Sequence, residues 1–339
     1  MKKVKWSVVS IIGVLIVFSM LSLTPSYAVE MPKSIGIATH PKGSLMNIIG
    51  SGFGKVLSGH LPLQATDRPF TGYAAWLPLM DRGDVELGIL TCTDAHFGYH
   101  GIKPYREKLE NLRIISSGSA VVLGYVVRED SGIKSLADLK GKRVCIDYSS
   151  VSTRLDQEVV LQAAGLDIKK DIKVVPTAGV VEPVNAVMEG RSDATWASVG
   201  MSAVRELIAK VGGIFWLPLC DTPVGPRAKT LLDASPGITL RQVEAGKLPT
   251  VDNDTCLIFK PIYLVTHKKM KSEVIYEIIK TIWNNNSELG DIHPMLKQWN
   301  HEAMVSNKVV IPYHEGAVRF YKEVGAWGDE MDEVQLKVQ

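Results

Sequence analysis

A chain of 339 residues with 46% hydrophobic and 22% charged side chains can bury a substantial core and divide into two domains, which excludes a disordered chain. The formal net charge is +2, and removing Lys2, Lys3 and Lys5 with the leader expected below takes it to −1. No basic excess remains to speak for nucleic acid.

The three lysines precede an apolar stretch over 8–23 and then Thr24-Pro25-Ser26-Tyr27-Ala28. That is the pattern of a signal peptide over 1–28, cleaved after Ala28, and it implies export to the periplasm. An uncleaved anchor is the competing reading, because the apolar stretch is long for a leader. Pro25 and the small residues before the cleavage point weigh against it. No cysteine near residue 28 supports lipid attachment. Cys92, Cys145, Cys220 and Cys256 lack the C-x-x-C spacing of a zinc or redox site, so no metal and no cofactor is expected. An oxidising compartment permits disulfides in three connectivities, yet most of the four read as buried small hydrophobes on strands.

Residues 34–39 read as a first strand, and 40–44 as a glycine turn into a helix running to about Leu57. The turn, with Gly43 and Ser44, offers backbone N–H groups and a positive helix end to an anionic ligand group. His40 reads first as a solvated loop residue and second as a ligand contact. Residues 61–66 form a second strand, 71–80 a short helix ended by Asp81-Arg82-Gly83-Asp84, and 85–90 a third strand. Thr91-Cys92-Thr93-Asp94 then opens another helix. Alternation of strand and helix predicts a parallel sheet with its pocket at the carboxyl ends.

The apolar run 121–127 leads through a charged turn with Gly132 to a short helix capped by Ser135, and past Gly141 a strand occupies 143–146. Asp147-Tyr148 precede Ser149, Ser150, Ser152 and Thr153 at the start of a helix reaching Ala164. One or two of these hydroxyls are explained as caps, but four in five residues favour an anion cradle. A strand at 174–176, a helix at 182–189 and a turn into a strand ending at Ala197 follow. Trp196 on that strand reads equally as core or as a ring stacked on a ligand. A helix (202–211) and a strand (214–217) come next, then a less regular stretch (223–251) and an apolar return run (256–265). The C-terminus is helical over 273–283, 294–299 and 316–324.

Three stretches carry a resemblance: V-V-L-G-Y-V-V-R-E-D-S-G-I-K-S-L-A-D-L-K-G-K-R-V-C-I over 121–146, G-R-S-D-A from Gly190, and H-E-G-A-V-R-F-Y-K-E-V-G from His314. They resemble the TAXI receptors of tripartite ATP-independent periplasmic (TRAP) transporters, from about Ile35 to Gly325. The resemblance implies an α/β, two-lobed periplasmic binding protein fold (type II-like) with an interlobe ligand cleft. Lobe I would comprise 29–120 plus about 266–339, and lobe II 121–255, with crossing segments about 118–128 and 255–266. It further implies that Thr71, Gly72, Thr93 and Asp94 meet the ligand. Two departures stand out. Leu45-Met46-Asn47 replaces the family's tyrosine-bearing helix start, and Val151-Ser152-Thr153 lacks its glycines.

The expected function is therefore capture of a small, carboxylate-bearing solute, an organic acid, and its delivery to TRAP membrane permease subunits. Gly43, Ser44, Asn47, Thr71, Gly72, Tyr73, Thr93, Asp94, Tyr148, Ser149, Ser152, Thr153 and Trp196 are the expected ligand-binding residues. A sensing partner of a membrane signalling receptor is the first alternative. An enzyme on the same fold is the second, although no G-x-S-x-G or H-E-x-x-H motif gives it a nucleophile or metal centre, so no catalytic residue is expected.

Overall fold

Strand β1 (Ser34–Thr39) buries Ile35 and Ile37 and feeds α1 (Leu45–His60), capped by Ser44, whose hydroxyl accepts from the Asn47 amide. The computed structural model describes residues 30–42, 44–147 and 150–339. The expected leader, Gly43, Tyr148 and Ser149 therefore lie outside the described residues. Strand β2 (Gln64–Pro69) starts later than the sequence suggests, because the Leu61 N–H is still closing α1 on the Leu57 carbonyl. Helix α2 (Tyr73–Arg82) ends at Gly83, whose left-handed φ of 95° lets its N–H reach the Leu79 and Met80 carbonyls. Strand β3 (Leu87–Thr91), wholly buried, runs into α3 (Cys92–His100).

Strand β4 (Leu112–Arg128) extends for 17 residues, well beyond the apolar run visible in the sequence. A second set of elements follows: β5 (Arg143–Asp147), α4 (Val151–Ala163), α5 (Ile168–Asp171), β6 (Lys173–Thr177), α6 (Glu182–Met188) and β7 (Ala194–Ser198). Then come α7 (Ser202–Val211), β8 (Ile214–Trp216), α8 (Pro226–Ala234), β9 (Thr239–Val243) and the returning strand β10 (Thr255–His267). The stretch expected to be irregular thus holds α8 and β9, and β9 owes its conformation to antiparallel pairing along β10. Helices α9 (Ser272–Asn284), α10 (Asn286–Ile292), α11 (His301–Met304), α12 (Glu315–Glu323) and α13 (Asp329–Lys337) complete the chain.

The strands lie in the order β2-β1-β3-β10-β4-β7-β5-β6, with β8 beside β4 and β9 beside β10. Within each half the pairs β1–β2, β1–β3, β5–β6 and β5–β7 are parallel, as the alternation predicts. The crossing is different. β4 and β10 are antiparallel to each other and to their neighbours. Each is long enough to serve both halves: β10 pairs with β3 through Ile262 to Val265 and with β9 through Thr255 to Phe259. Register shifts interrupt the β4–β10 ladder between Pro261 and Tyr263 and between Leu264 and Val265.

Two cores flank this sheet. Helix α9 presents Ile275, Ile278, Ile279 and Ile282, spaced for one helical face, and packs on α1 and α12. Across the crossing, Val126, Val184, Leu207, Trp216 and Leu257 form a buried cluster. Gly118 on β4 admits the Trp299 ring, which would lie 2.1 Å from a Cβ at that position, and the indole N–H donates to the Ser116 hydroxyl. Cys220 and Cys256 form a disulfide, whereas Cys92 and Cys145 are buried free thiols. Half of the cysteines are thus paired, where the sequence suggested that most are not. Among the described residues, no helix is long and apolar enough to cross a membrane.

Candidate functional site

A cavity of about 680 Å³ opens at the carboxyl ends of the parallel strands of both halves. The first half contributes the turn after β1, the start of α2, Asp94 of α3, and Pro104 with Tyr105. The second half contributes Asp147 at the end of β5, the first turn of α4, the loop after β6 and the start of α6. Long crossing strands bring these otherwise separate loop sets to one place.

Helix α2 begins at Gly72, which has no side chain to cap it, and the Ala75 N–H turns back to the Gly72 carbonyl at 3.1 Å. Thr71, Gly72 and Tyr73 line the cavity there. The Tyr73 ring lies 4.2 Å from that of His40, centroid to centroid. His40 Nε2 is buried with no hydrogen-bond partner, and burial holds the imidazole's pKa down at about 4, so the ring is neutral at physiological pH.

Asp94 is 3% exposed. It accepts from the Thr91 hydroxyl at 3.0 Å, from the Tyr105 hydroxyl at 3.5 Å, and from Ser152 of α4, which joins the two walls. Burial raises its pKa to about 6 against the attraction of Lys260. Lys260, 3% exposed on β10, is itself engaged by the carboxylate of Asp156 of α4. Burial, the largest effect, opposes its charge, but Asp156 together with Cys92 and Asp94 keeps the ammonium's pKa raised. Burial also pushes the nearby Cys92 thiol up to about 12, so no thiolate is available there for nucleophilic chemistry.

Of the expected ligand-binding residues, Ser44, Thr71, Gly72, Tyr73, Asp94, Ser152 and Thr153 line this cavity. Asn47, Thr93 and Trp196 are placed elsewhere. The Asn47 amide is turned inward, donating to Thr39 Oγ1 at 3.3 Å and Asp67 Oδ2 at 2.8 Å, where it ties β1 to β2. Thr93 is fully buried with its hydroxyl against the Cys92 sulfur. Trp196 is 6% exposed and meets Tyr125 edge-on at 5.1 Å, the core alternative of its two readings. The hydroxyl cluster also divides its work: Ser150 is the cap of α4, accepting from the Thr153 N–H at 3.3 Å. Ser152 and Thr153 are thereby free of that duty.

Tyr105, Asp147, Glu182 and Asn185 line the cavity without having been singled out as ligand residues. Position after a strand's carboxyl end was a usable signal for Asp147 and for the 178–182 loop. Nothing local marks Tyr105, which reaches the cavity from the chain beyond α3.

Among solved structures, PhnD1 from Prochlorococcus marinus in complex with methylphosphonate matches 87% of this chain and 100% of its own, with 16% identity and a TM-score of 0.52. A TctC solute binding protein from Polaromonas, 17% identical, matches 76% of this chain and 86% of its own with a TM-score of 0.49. At such identity the PhnD1 likeness is one of fold, the two-lobed α/β architecture of periplasmic binding proteins. The NMT1-like family model matches residues 37–325, and the chain belongs to that family.

Proposed function

We propose that the protein is a periplasmic solute receptor that binds a small, carboxylate-bearing solute in this cavity and delivers it to a TRAP-type permease, as the TAXI resemblance implies. The observation that carries this reading is the cavity itself, walled by strand-end loops of both halves and entered by an uncapped helix end at Gly72. A carboxylate placed there accepts the first-turn N–H groups of α2 and the Thr71 hydroxyl. Thr153 faces the same space from α4. Lobe I then comprises 29–120 and about 266–339, lobe II 121–255, and β4 and β10 act as the crossing about which the lobes close. The expected leader would take the chain to the periplasm.

Native mass spectrometry of freshly purified protein tests this directly. A co-purified organic acid of a size that fits about 680 Å³ is the expected result. Turnover of that molecule by the protein would overturn binding as the whole function. Failure to associate with permease subunits in a pull-down would remove the transport assignment.

A further inference from the structure

We propose that His96 and His100 together bind a divalent first-row transition metal ion such as Zn²⁺ or Ni²⁺, at a site apart from the solute cavity and independent of what that cavity holds. Their spacing is the starting point. Residues four apart share one face of a helix, with Cβ atoms about 5–6 Å from each other, and α3 carries both histidines over its C-terminal half. The two ring centroids are 4.4 Å apart and the rings are tilted by 53°. Two imidazoles that share one zinc ion at about 2.1 Å per bond have centroids roughly 4.5–5 Å apart, so the pair already stands near the separation that neighbouring ligands of one ion require.

The ring nitrogens are also available. Among the described residues no hydrogen bond or ion pair engages either ring, and their ring neighbours are aromatic: Tyr99 meets His100 edge-on at 5.3 Å, and Phe97 lies 6.2 Å from His96. Four other histidines are committed. His60 bonds Glu288 at 2.8 Å, His301 bonds the Trp283 carbonyl at 2.9 Å, and His293 and His314 accept backbone N–H groups. His100 is exposed and His96 half-buried, so an ion reaches the pair from solvent. Burial, and after it the charge of His100, holds the His96 pKa below its ordinary 6.5, so a proton competes weakly for that ring near neutral pH. Imidazole nitrogens suit zinc, nickel and copper, whereas magnesium and calcium take oxygen ligands. Among the described residues, no group of three or more His, Cys, Asp and Glu side chains is placed to hold an ion. The site therefore has two protein ligands, and water fills the remaining positions, which makes the ion exchangeable rather than structural.

Titration calorimetry with zinc chloride and nickel chloride at pH 7.5 tests it, on protein purified without a polyhistidine tag, in wild type, His96→Ala, His100→Ala and His60→Ala. Expected is saturable binding in wild type that His96→Ala and His100→Ala each weaken at least tenfold, that His60→Ala leaves unchanged, and that magnesium chloride does not reproduce. Bound Cu²⁺ should show two nitrogen ligands by electron paramagnetic resonance in wild type and a single one in His100→Ala. Because His100 is exposed, its replacement leaves the core untouched, so this variant carries the test even where His96→Ala fails to fold. No saturable binding of either ion in wild type overturns the site. So does an affinity in His100→Ala equal to that of wild type, or a copper signal that the substitution does not change.

Discussion

The ammonium of Lys260, on crossing strand β10, is buried against the carboxylate of Asp156 on α4, and the Ser235 hydroxyl donates to the other carboxylate oxygen at 3.1 Å. The pair fastens the crossing to the helix whose first turn lines the cavity. Removing one partner strands a buried charge, which typically costs 3–5 kcal/mol, whereas replacing both by apolar groups is often neutral. Lys260→Met should therefore lower stability by about 4 kcal/mol in urea denaturation, with Lys260→Met/Asp156→Leu recovering most of the loss. Equal loss in the single and double variants would show that the pair is not what holds the crossing.

Asp94 sets a pH dependence of definite sign. Its pKa is raised from an ordinary 3.8 to about 6, first by burial, so its unfavourable contribution is absent below about pH 4 and grows as pH rises through 6. The displacement corresponds to about 3 kcal/mol at neutral pH. His40 and His314, each held down at about 4 by burial, act oppositely, losing stability as pH falls below 6.5. Asp94→Asn should accordingly raise Tm at pH 7.5 and converge on wild type near pH 4. A variant no more stable than wild type at pH 7.5 would count against a charged, poorly compensated Asp94.

The Cys220–Cys256 disulfide closes a loop of 36 residues that contains α8 and β9. Loop-closure entropy alone gives such a bridge about 4 kcal/mol. Cys220→Ser/Cys256→Ser should thus fall well below wild type in non-reducing denaturation, while wild type in reducing agent should match the variant. The free thiols Cys92 and Cys145 are buried and should not react with a thiol reagent before unfolding.

The first turn of α4 separates capping from binding. Ser150 accepts the Thr153 N–H, so Ser150→Ala should cost about 1 kcal/mol of stability. Ser152 and Thr153 do not cap the helix, and both line the cavity. Thr153→Ala should leave Tm within a degree or two and weaken the co-purified solute, measured by calorimetry, whereas Ser152→Ala also removes a donor from buried Asp94 and should lower Tm. The reverse pattern in Thr153→Ala, intact affinity with lost stability, would return that hydroxyl to structure.

Strand and helix alternation was readable because glycines stand where the chain must turn. Gly83, Gly190 and Gly212 all have left-handed φ and close a helix. The first part of β4 was not readable. Ser116, Ser117 and Ser119 are buried there, and Ser116 finds its side-chain partners far along the chain, in Trp299 and Tyr321. β9 escaped for a similar reason, since its strand character comes from β10 rather than from its own polar sequence. Thr71, Gly72 and Asp94, which line the cavity, were named with Thr93 by the TAXI resemblance rather than by position. Asn47 and Trp196 could not be resolved in that way, because one helical step or one sheet face decides between ligand and core. The Lys260–Asp156 pair spans 104 residues and has no local signature.

Glutamate should not be a tight ligand, although TAXI receptors are associated with it. The helix start that in those receptors carries tyrosines is Leu45-Met46-Asn47 here, and Asn47 is occupied in bridging β1 to β2. One carboxylate can sit at the open end of α2 near Gly72. A second would have to settle among Asp94, Asp147 and Glu182, with the exposed Lys42 as the cationic lining side chain among the described residues. Bringing a buried charge beside like charges without a partner costs several kcal/mol, enough to reduce a micromolar ligand to no measurable binding. Titration with L-glutamate should produce no saturable heat. A submicromolar Kd for glutamate in wild type would refute the charge argument.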